Sequence, residues 1–257
     1  MQQSLSLIHP DAKIGKDVVI GPFVTIEEDV VIGDGTIINS NATILKGSRI
    51  GKNCKICSSA VIGGEPQDLK FKGEYSTAEI GDNTIIREFV TINRGTAAKG
   101  KTVIGNNCLI MAYSHIAHDC LLKDNIIIAN ASQIAGEVII EDFATISGGT
   151  LIHQFSHVGA YVMIQGGSHI NKDIPPYIIA GHIPTFFAGI NLIGLKRRGF
   201  SAEAIATIQE IYRLIYMSGF NNTIALEKVE NDIPPSVERD MIVNFIKESE
   251  RGILRGK

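Results

Sequence analysis

An aliphatic residue returns at every sixth position through most of this chain. Steps of six from Ile8 to Ile170 give 28 positions, of which 25 hold isoleucine, leucine or valine and 23 hold isoleucine. The exceptions are Asp68, Glu74 and Ala98, and the phase continues unbroken beyond them, so the inserted lengths are net multiples of six. A period of six fits neither a helix at about 3.6 residues per turn nor an isolated hairpin. It does fit very short strands of alternating facing, repeated along one axis.

The other slots of the hexapeptide agree. Glycine recurs one residue after the aliphatic position, at Gly15, Gly21, Gly33, Gly51, Gly63, Gly81, Gly105 and Gly159. Four residues after it stand small or branched side chains: Val18, Thr36, Ala42, Ser48, Cys54, Ala60, Cys108, Ser114, Cys120 and Ser132. The pattern resembles the hexapeptide repeat of left-handed parallel β-helices. That resemblance implies triangular coils of 18 residues with the aliphatic side chain inside the prism, each coil burying its interior against the next. The expected fold is therefore an all-β left-handed parallel β-helix over 1–190, followed by a C-terminal helical domain over 191–257. Polar breaks at 68–79 and 97–103 must leave the prism as external loops, which are frequent carriers of function.

The repeat ends near Asp173-Ile174-Pro175-Pro176, and composition changes after about Ile190. Ser201 suits an N-cap, with Glu203 in the first turn and an apolar stripe at Ala204, Ile205, Ile208, Ile211, Tyr212 and Ile215; Gly219 suits the stop. Pro234-Pro235-Ser236 precedes a second stripe of Val237, Met241, Val243, Phe245 and Ile246. Such a tail either caps the open prism or takes part in substrate binding.

Composition narrows the function. A net charge of -3 offers no basic field for nucleic acid. No apolar run approaches the roughly 20 residues of a membrane span, and Met1 to Pro10 lacks the features of a signal peptide. A cytoplasmic protein is expected. Cys54 and Cys57 form a C-x-x-C, but no second pair accompanies them, and the repeat gives these thiols a packing role.

The histidines are His9, His115, His118, His153, His157, His169 and His182, and one cluster stands out: His115-Ile116-Ala117-His118-Asp119. Imidazole accepts a proton near neutral pH, and Asp119 could fix its tautomer. With coils of 18 residues, His118, Gly136 and Gln154 share a corner, as do Ala117, Ala135 and His153. Rungs lie about 4.8 Å apart. Gly136 has no side chain to shield its N–H, so a base and an oxyanion donor would be neighbours, as acyl transfer requires.

The segments Gln67-Asp68-Leu69-Lys70, His115 to Cys120, His153-Gln154-Phe155, Asp173 to Tyr177 and Gly194-Leu195-Lys196-Arg197-Arg198-Gly199-Phe200 resemble the UDP-N-acetylglucosamine 3-O-acyltransferases of lipid A biosynthesis. The resemblance implies that His118, supported by Asp119, takes the proton of the sugar 3-hydroxyl. The hydroxyl then attacks a 3-hydroxyacyl thioester of acyl carrier protein without a covalent acyl-enzyme. It further implies that Gly136 serves the oxyanion and that His115 lies near the donor. Gln67, Asp68 and Lys70 would meet sugar and phosphates, with His153, Gln154, Asn191 and Arg198 holding donor or nucleotide. Gly166 would limit acyl length, and its lack of a side chain implies a long chain. The resemblance implies a site between subunits of a homotrimer, with no metal and no cofactor. Two positions depart from the family: Glu137 replaces a histidine and Ile193 a glutamate. Lys196, Arg197, Arg198, Arg251, Arg255 and Lys257 offer a basic surface that could attract an acidic carrier protein or simply be solvated. A β-helix N-acyltransferase, a β-helix carbonic anhydrase binding zinc through His115, His118 and His153, and a purely structural subunit are the competing readings.

Overall fold

Each hexapeptide forms a strand of two to four residues and a corner in the computed structural model, which describes residues 5–256. Pairing is parallel between residues one coil apart: Leu7 with Thr25, Val31 with Arg49, Ile127 with Thr145. Three sheets of nine, eight and ten strands result, and in the parallel coils each takes every third strand in chain order. That arrangement is the left-handed β-helix the period requires. Inside the prism Ile38, Ile56, Ile86, Ile110, Ile128 and Ile146 are fully buried. Each contributes about 1.5–3 kcal/mol through burial, gained only once the next coil is in place.

The remaining slots follow from the corners. Non-glycine residues turn the chain in the left-handed region there, among them Asn41, Asn53, Asn107 and Asp119 with φ of 62°, 53°, 56° and 60°; Asn and Asp tolerate that conformation best. The glycine slot is a place of close approach: a Cβ on Gly33 would stand 2.6 Å from the Gly51 carbonyl carbon. The small slot points inward. The Cys54 and Cys108 thiols donate to the carbonyls of Gly81 and Lys123 on the next coil, at 3.1 and 3.2 Å. All four cysteines are buried and unpaired, and burial pushes Cys108 up to about 11 and Cys120 to about 12.

Two excursions leave the prism. Val61 pairs with Thr91, thirty residues on, and Thr77 with Lys101, twenty-four on, so one coil carries an extra twelve residues and another an extra six. The excursions occupy 65–76 and 94–100, three residues earlier than polarity suggested. Thr77–Ile80 and Lys101–Ile104 are regular paired strands whose outward face carries Thr77, Glu79 and Lys101 while Thr102 is buried, with Lys101 and Glu79 forming an ion pair at 3.3 Å. Polar outer faces made two strands look like loop.

The last parallel strand, Ile178–Gly181, pairs with the antiparallel strand Phe186–Ile190. Four helices follow: α1 Leu192–Arg197, α2 Ala202–Met217, α3 Asn222–Asp232 and α4 Val237–Glu248. Ser201 and Ser236 cap α2 and α4, accepting from Ala204 N and Arg239 N at 3.0 and 3.1 Å. The α2 stripe is buried as expected, apart from the half-buried Ala204. In α4 the fully buried Ile242 joins the core, while Val237, the first helical residue, points to water. Tyr212 of α2 donates to Pro176 O at 2.6 Å, and Ser249 donates to Asp173 Oδ2 at 2.6 Å. The tail thus covers the C-terminal end of the prism. The opposite end keeps Leu7, Ile8 and Ile14 exposed.

Candidate active site

The chain turns sharply after the strand His115–Ile116, because Asp119 adopts the left-handed corner conformation. That turn lays the His118 ring along the prism edge. Glu137 N donates to His118 O at 2.9 Å and Phe155 N to Gly136 O at 3.1 Å, which puts His118, Gly136 and Gln154 on successive rungs of one corner. The contact is tight: a Cβ on Gly136 would lie 2.6 Å from both Cε1 and Nε2 of His118. Gly136 is itself buried, and its N–H makes no hydrogen bond among the described residues.

His118 is only 6% exposed. Its Nδ1 lies 2.8 Å from Oδ2 of Asp119, whose side chain is wholly buried. On the other side of the ring, Nε2 stands 3.9 Å from Asp68 Oδ2. Asp68 belongs to the first excursion and accepts from Lys70 N at 2.9 Å, a turn that fixes its carboxyl beside the base. His115 pairs with Thr91 Oγ1 at 2.7 Å. Burial holds its pKa below the ordinary value, opposed by a hydrogen bond to the Thr91 backbone and aided by the nearby His118. His115 is therefore neutral at pH 7 and able to accept or donate a hydrogen bond.

A cleft of about 570 Å³ climbs the sheet from this corner, lined by Gln67, His115, His118, Gly136, His153 and Gln154 among others. It continues past His169 to Asn171. The larger groove of about 810 Å³ crosses a different sheet between Arg49 and Asp142 and contains no histidine. Of these two, only the smaller is lined by histidines.

Three of the proposed binding residues lie elsewhere. Asn191 caps α1, accepting from Gly194 N at 3.2 Å and donating to Tyr161 O at 2.9 Å. Arg198 lies with its guanidinium 4.2 Å above the Phe143 ring. Gly166 is exposed at a third corner, where a Cβ would come 3.2 Å from Gly148 O. Lys70 is exposed in the first excursion, and so is Ile193 on α1. Of the basic tail, Lys196, Arg197 and Arg255 are exposed, whereas Arg251 donates to Asn171 O at 3.3 Å and serves to dock the tail. Lys257 lies outside the described residues.

Several residues that hold the site had no clear sequence signal. Thr96 N donates to Asp119 Oδ1 at 2.9 Å and its hydroxyl to Oδ2 at 2.6 Å. Arg94 is buried, donating to Gly63 O at 3.3 Å and lying 5.2 Å from the Phe71 ring centroid. Both lie in the first three residues of the second excursion, ahead of position 97 where polarity suggested it begins.

Comparison with known proteins gives a consistent result. The family profile described as Udp N-acetylglucosamine O-acyltransferase, Domain 2, matches residues 173–254. Bacterial transferase hexapeptide (six repeats) matches 101–136, and the GMPPB C-terminal domain matches 3–67. An acyl-[acyl-carrier-protein]–UDP-N-acetylglucosamine O-acyltransferase from Chlorobium phaeobacteroides is 61% identical over 96% of this chain and 94% of its own length. Its counterpart from Trichlorobacter lovleyi is 53% identical over 98% of both. The crystal structure of a UDP-N-acetylglucosamine acyltransferase from Bacteroides fragilis superposes with a TM-score of 0.97 at 59% identity, covering 99% of this chain and 100% of that one.

Proposed function

This chain belongs to the acyl-[acyl-carrier-protein]–UDP-N-acetylglucosamine O-acyltransferase family, and on that premise we propose that the cleft beside His118 is where the acyl group is transferred. The enzyme moves a 3-hydroxyacyl chain from acyl carrier protein to the 3-hydroxyl of UDP-N-acetylglucosamine, the first step of lipid A biosynthesis. The observation that carries the site assignment is the His118–Asp119 pair at the foot of the cleft.

A buried carboxylate beside Nδ1 leaves Nε2 as the basic nitrogen. It removes the proton of the sugar 3-hydroxyl as the oxygen attacks the thioester carbon. The tetrahedral oxyanion is met by the unpaired Gly136 N–H one rung above. Collapse breaks the carbon–sulfur bond, and the thiolate of the carrier takes the proton back from His118. Asp68 and Lys70 face the sugar and its phosphates. His115, His153 and Gln154 line the donor's path up the rungs, which from His115 to His169 covers about 14 Å at the spacing of parallel strands.

Asn191 and Arg198 stand on a different corner from His118, so a single copy does not present both sets to one ligand. A second copy of the chain completes the site, in a homotrimer. No helix among the described residues is long and apolar enough to cross a membrane, and the protein works in the cytoplasm.

The test is His118→Ala. A positioned general base contributes about 10²- to 10⁴-fold, so kcat should fall by that factor while circular dichroism and assembly size stay unchanged. Mass spectrometry of products from UDP-N-acetylglucosamine and a panel of 3-hydroxyacyl carrier thioesters reads both turnover and chain length. Near-normal turnover in the alanine variant would remove His118 from the mechanism.

A further inference from the structure

The short second excursion exists, we propose, to clamp Asp119, and Thr96 is the positioning residue that completes the clamp. The inference rests on His118 acting as the base, and it asks what holds that base in one state. Asp119 Oδ1 accepts from Thr96 N at 2.9 Å and Lys99 N at 3.2 Å. Oδ2 accepts from the Thr96 hydroxyl at 2.6 Å and faces His118 Nδ1 at 2.8 Å. The hydroxyl is the donor in that bond, since a carboxylate only accepts, and Ala98 N donates to the same Thr96 Oγ1 at 3.2 Å. With that lone pair engaged by an N–H, the hydroxyl proton turns to the carboxylate, which can only accept.

Three protein donors therefore point at Asp119 before the imidazole is counted, and an ionised carboxylate has about four lone-pair sites. The fourth faces His118 Nδ1 at 2.8 Å, and a carboxylate can only accept there. No other partner is offered to Nδ1 among the described residues. The ring must carry its proton on Nδ1 and turn the bare Nε2 toward the cleft. All three donors come from Thr96 and Lys99, both within the six-residue insertion that sets this coil apart from its neighbours. The first excursion is tied to the same segment, since Ala97 N donates to Glu74 Oε1 at 2.9 Å.

Thr96→Val keeps the branched shape and removes the hydroxyl; Thr96→Ser keeps the hydroxyl. A hydrogen bond to a charged group is worth enough to shift a rate by roughly tenfold. In the valine variant kcat should fall about tenfold, with KM for UDP-N-acetylglucosamine and for the acyl carrier thioester unchanged, and serine should restore kcat. Wild-type kcat in the valine variant, a change confined to KM, or a loss that serine does not repair would overturn the inference. Nitrogen NMR of histidine-labelled protein reads the clamp without turnover. The wild type should show a sheltered Nδ1–H on His118 that exchanges faster with water in Thr96→Val, and equal protection in both would count against the clamp. His118→Ala separates the two ideas: if it retains activity the base assignment fails, whereas an inactive His118→Ala with a fully active Thr96→Val sinks only the role of Thr96.

Discussion

At the scale of single residues, the closest constraint is the contact between Gly136 and the imidazole below it. A methyl group at position 136 would sit 2.6 Å from two ring atoms of His118, well inside any real carbon contact, so the ring must move. It cannot move without stretching its 2.8 Å link to Asp119. Gly136→Ala is expected to lose about 10²-fold in kcat, the cost of displacing a reacting group by about an ångström. The backbone at 136 is not in the left-handed region, so thermal unfolding should shift little; activity near that of wild type would mean the corner relaxes without disturbing the base. The alignment of His118 with Gly136 was legible in the sequence because an 18-residue coil is simple arithmetic. The partners of Asp119 were not, since Thr96 reaches it only through an insertion whose path no period describes.

Among the elements, regularity decided what could be read. Outside the two excursions the strands were placed by their aliphatic residues, and the slot glycines and small residues followed, whereas the left-handed asparagines of the corners had not been read. The errors fell where one face of an element contradicts its fold. Thr77–Ile80 and Lys101–Ile104 are strands with polar outer faces, and Val237 opens a helix without joining its core. The third corner offers a test of how element geometry sets chain length. Gly148, Gly149, Gly166 and Gly167 stack there on successive coils, and Gly149 and Gly167 lie at positive φ of 68° and 70°. Gly166 itself carries no such restriction, so a larger residue is tolerated by the backbone. Its side chain would have to grow outward, past Gly148 O at 3.2 Å. If acyl chains run along this edge, Gly166→Met should move the preferred donor to a shorter chain while leaving the fold intact. A panel of carrier thioesters of graded length checks this, and an unchanged preference would place the acyl chain elsewhere.

The whole molecule is asymmetric along its axis: α2, α4 and the returning C-terminal segment seal one end, and the first coils stay open at the other. Around the axis the groups proposed to act on substrate are divided. His118, Asp119 and Asp68 occupy one corner, while Arg198 over Phe143 and Asn191 beside Tyr161 occupy another. One prism cannot fold those corners together, but cyclic symmetry can bring the first corner of one copy against the second corner of its neighbour. Two variants test this. His118→Ala and Arg198→Ala, each expected to be inactive alone, are unfolded together in equal amounts and allowed to reassemble into the proposed trimer. A site drawing His118 from one subunit and Arg198 from the next has both residues intact with probability one half times one half. Mixed trimers should therefore recover about a quarter of wild-type activity. If both groups served one site from within one chain, every site in the mixture would lack one of them and nothing would return. The recovered fraction thus reports which corners meet, and it does so without a structure of the assembly.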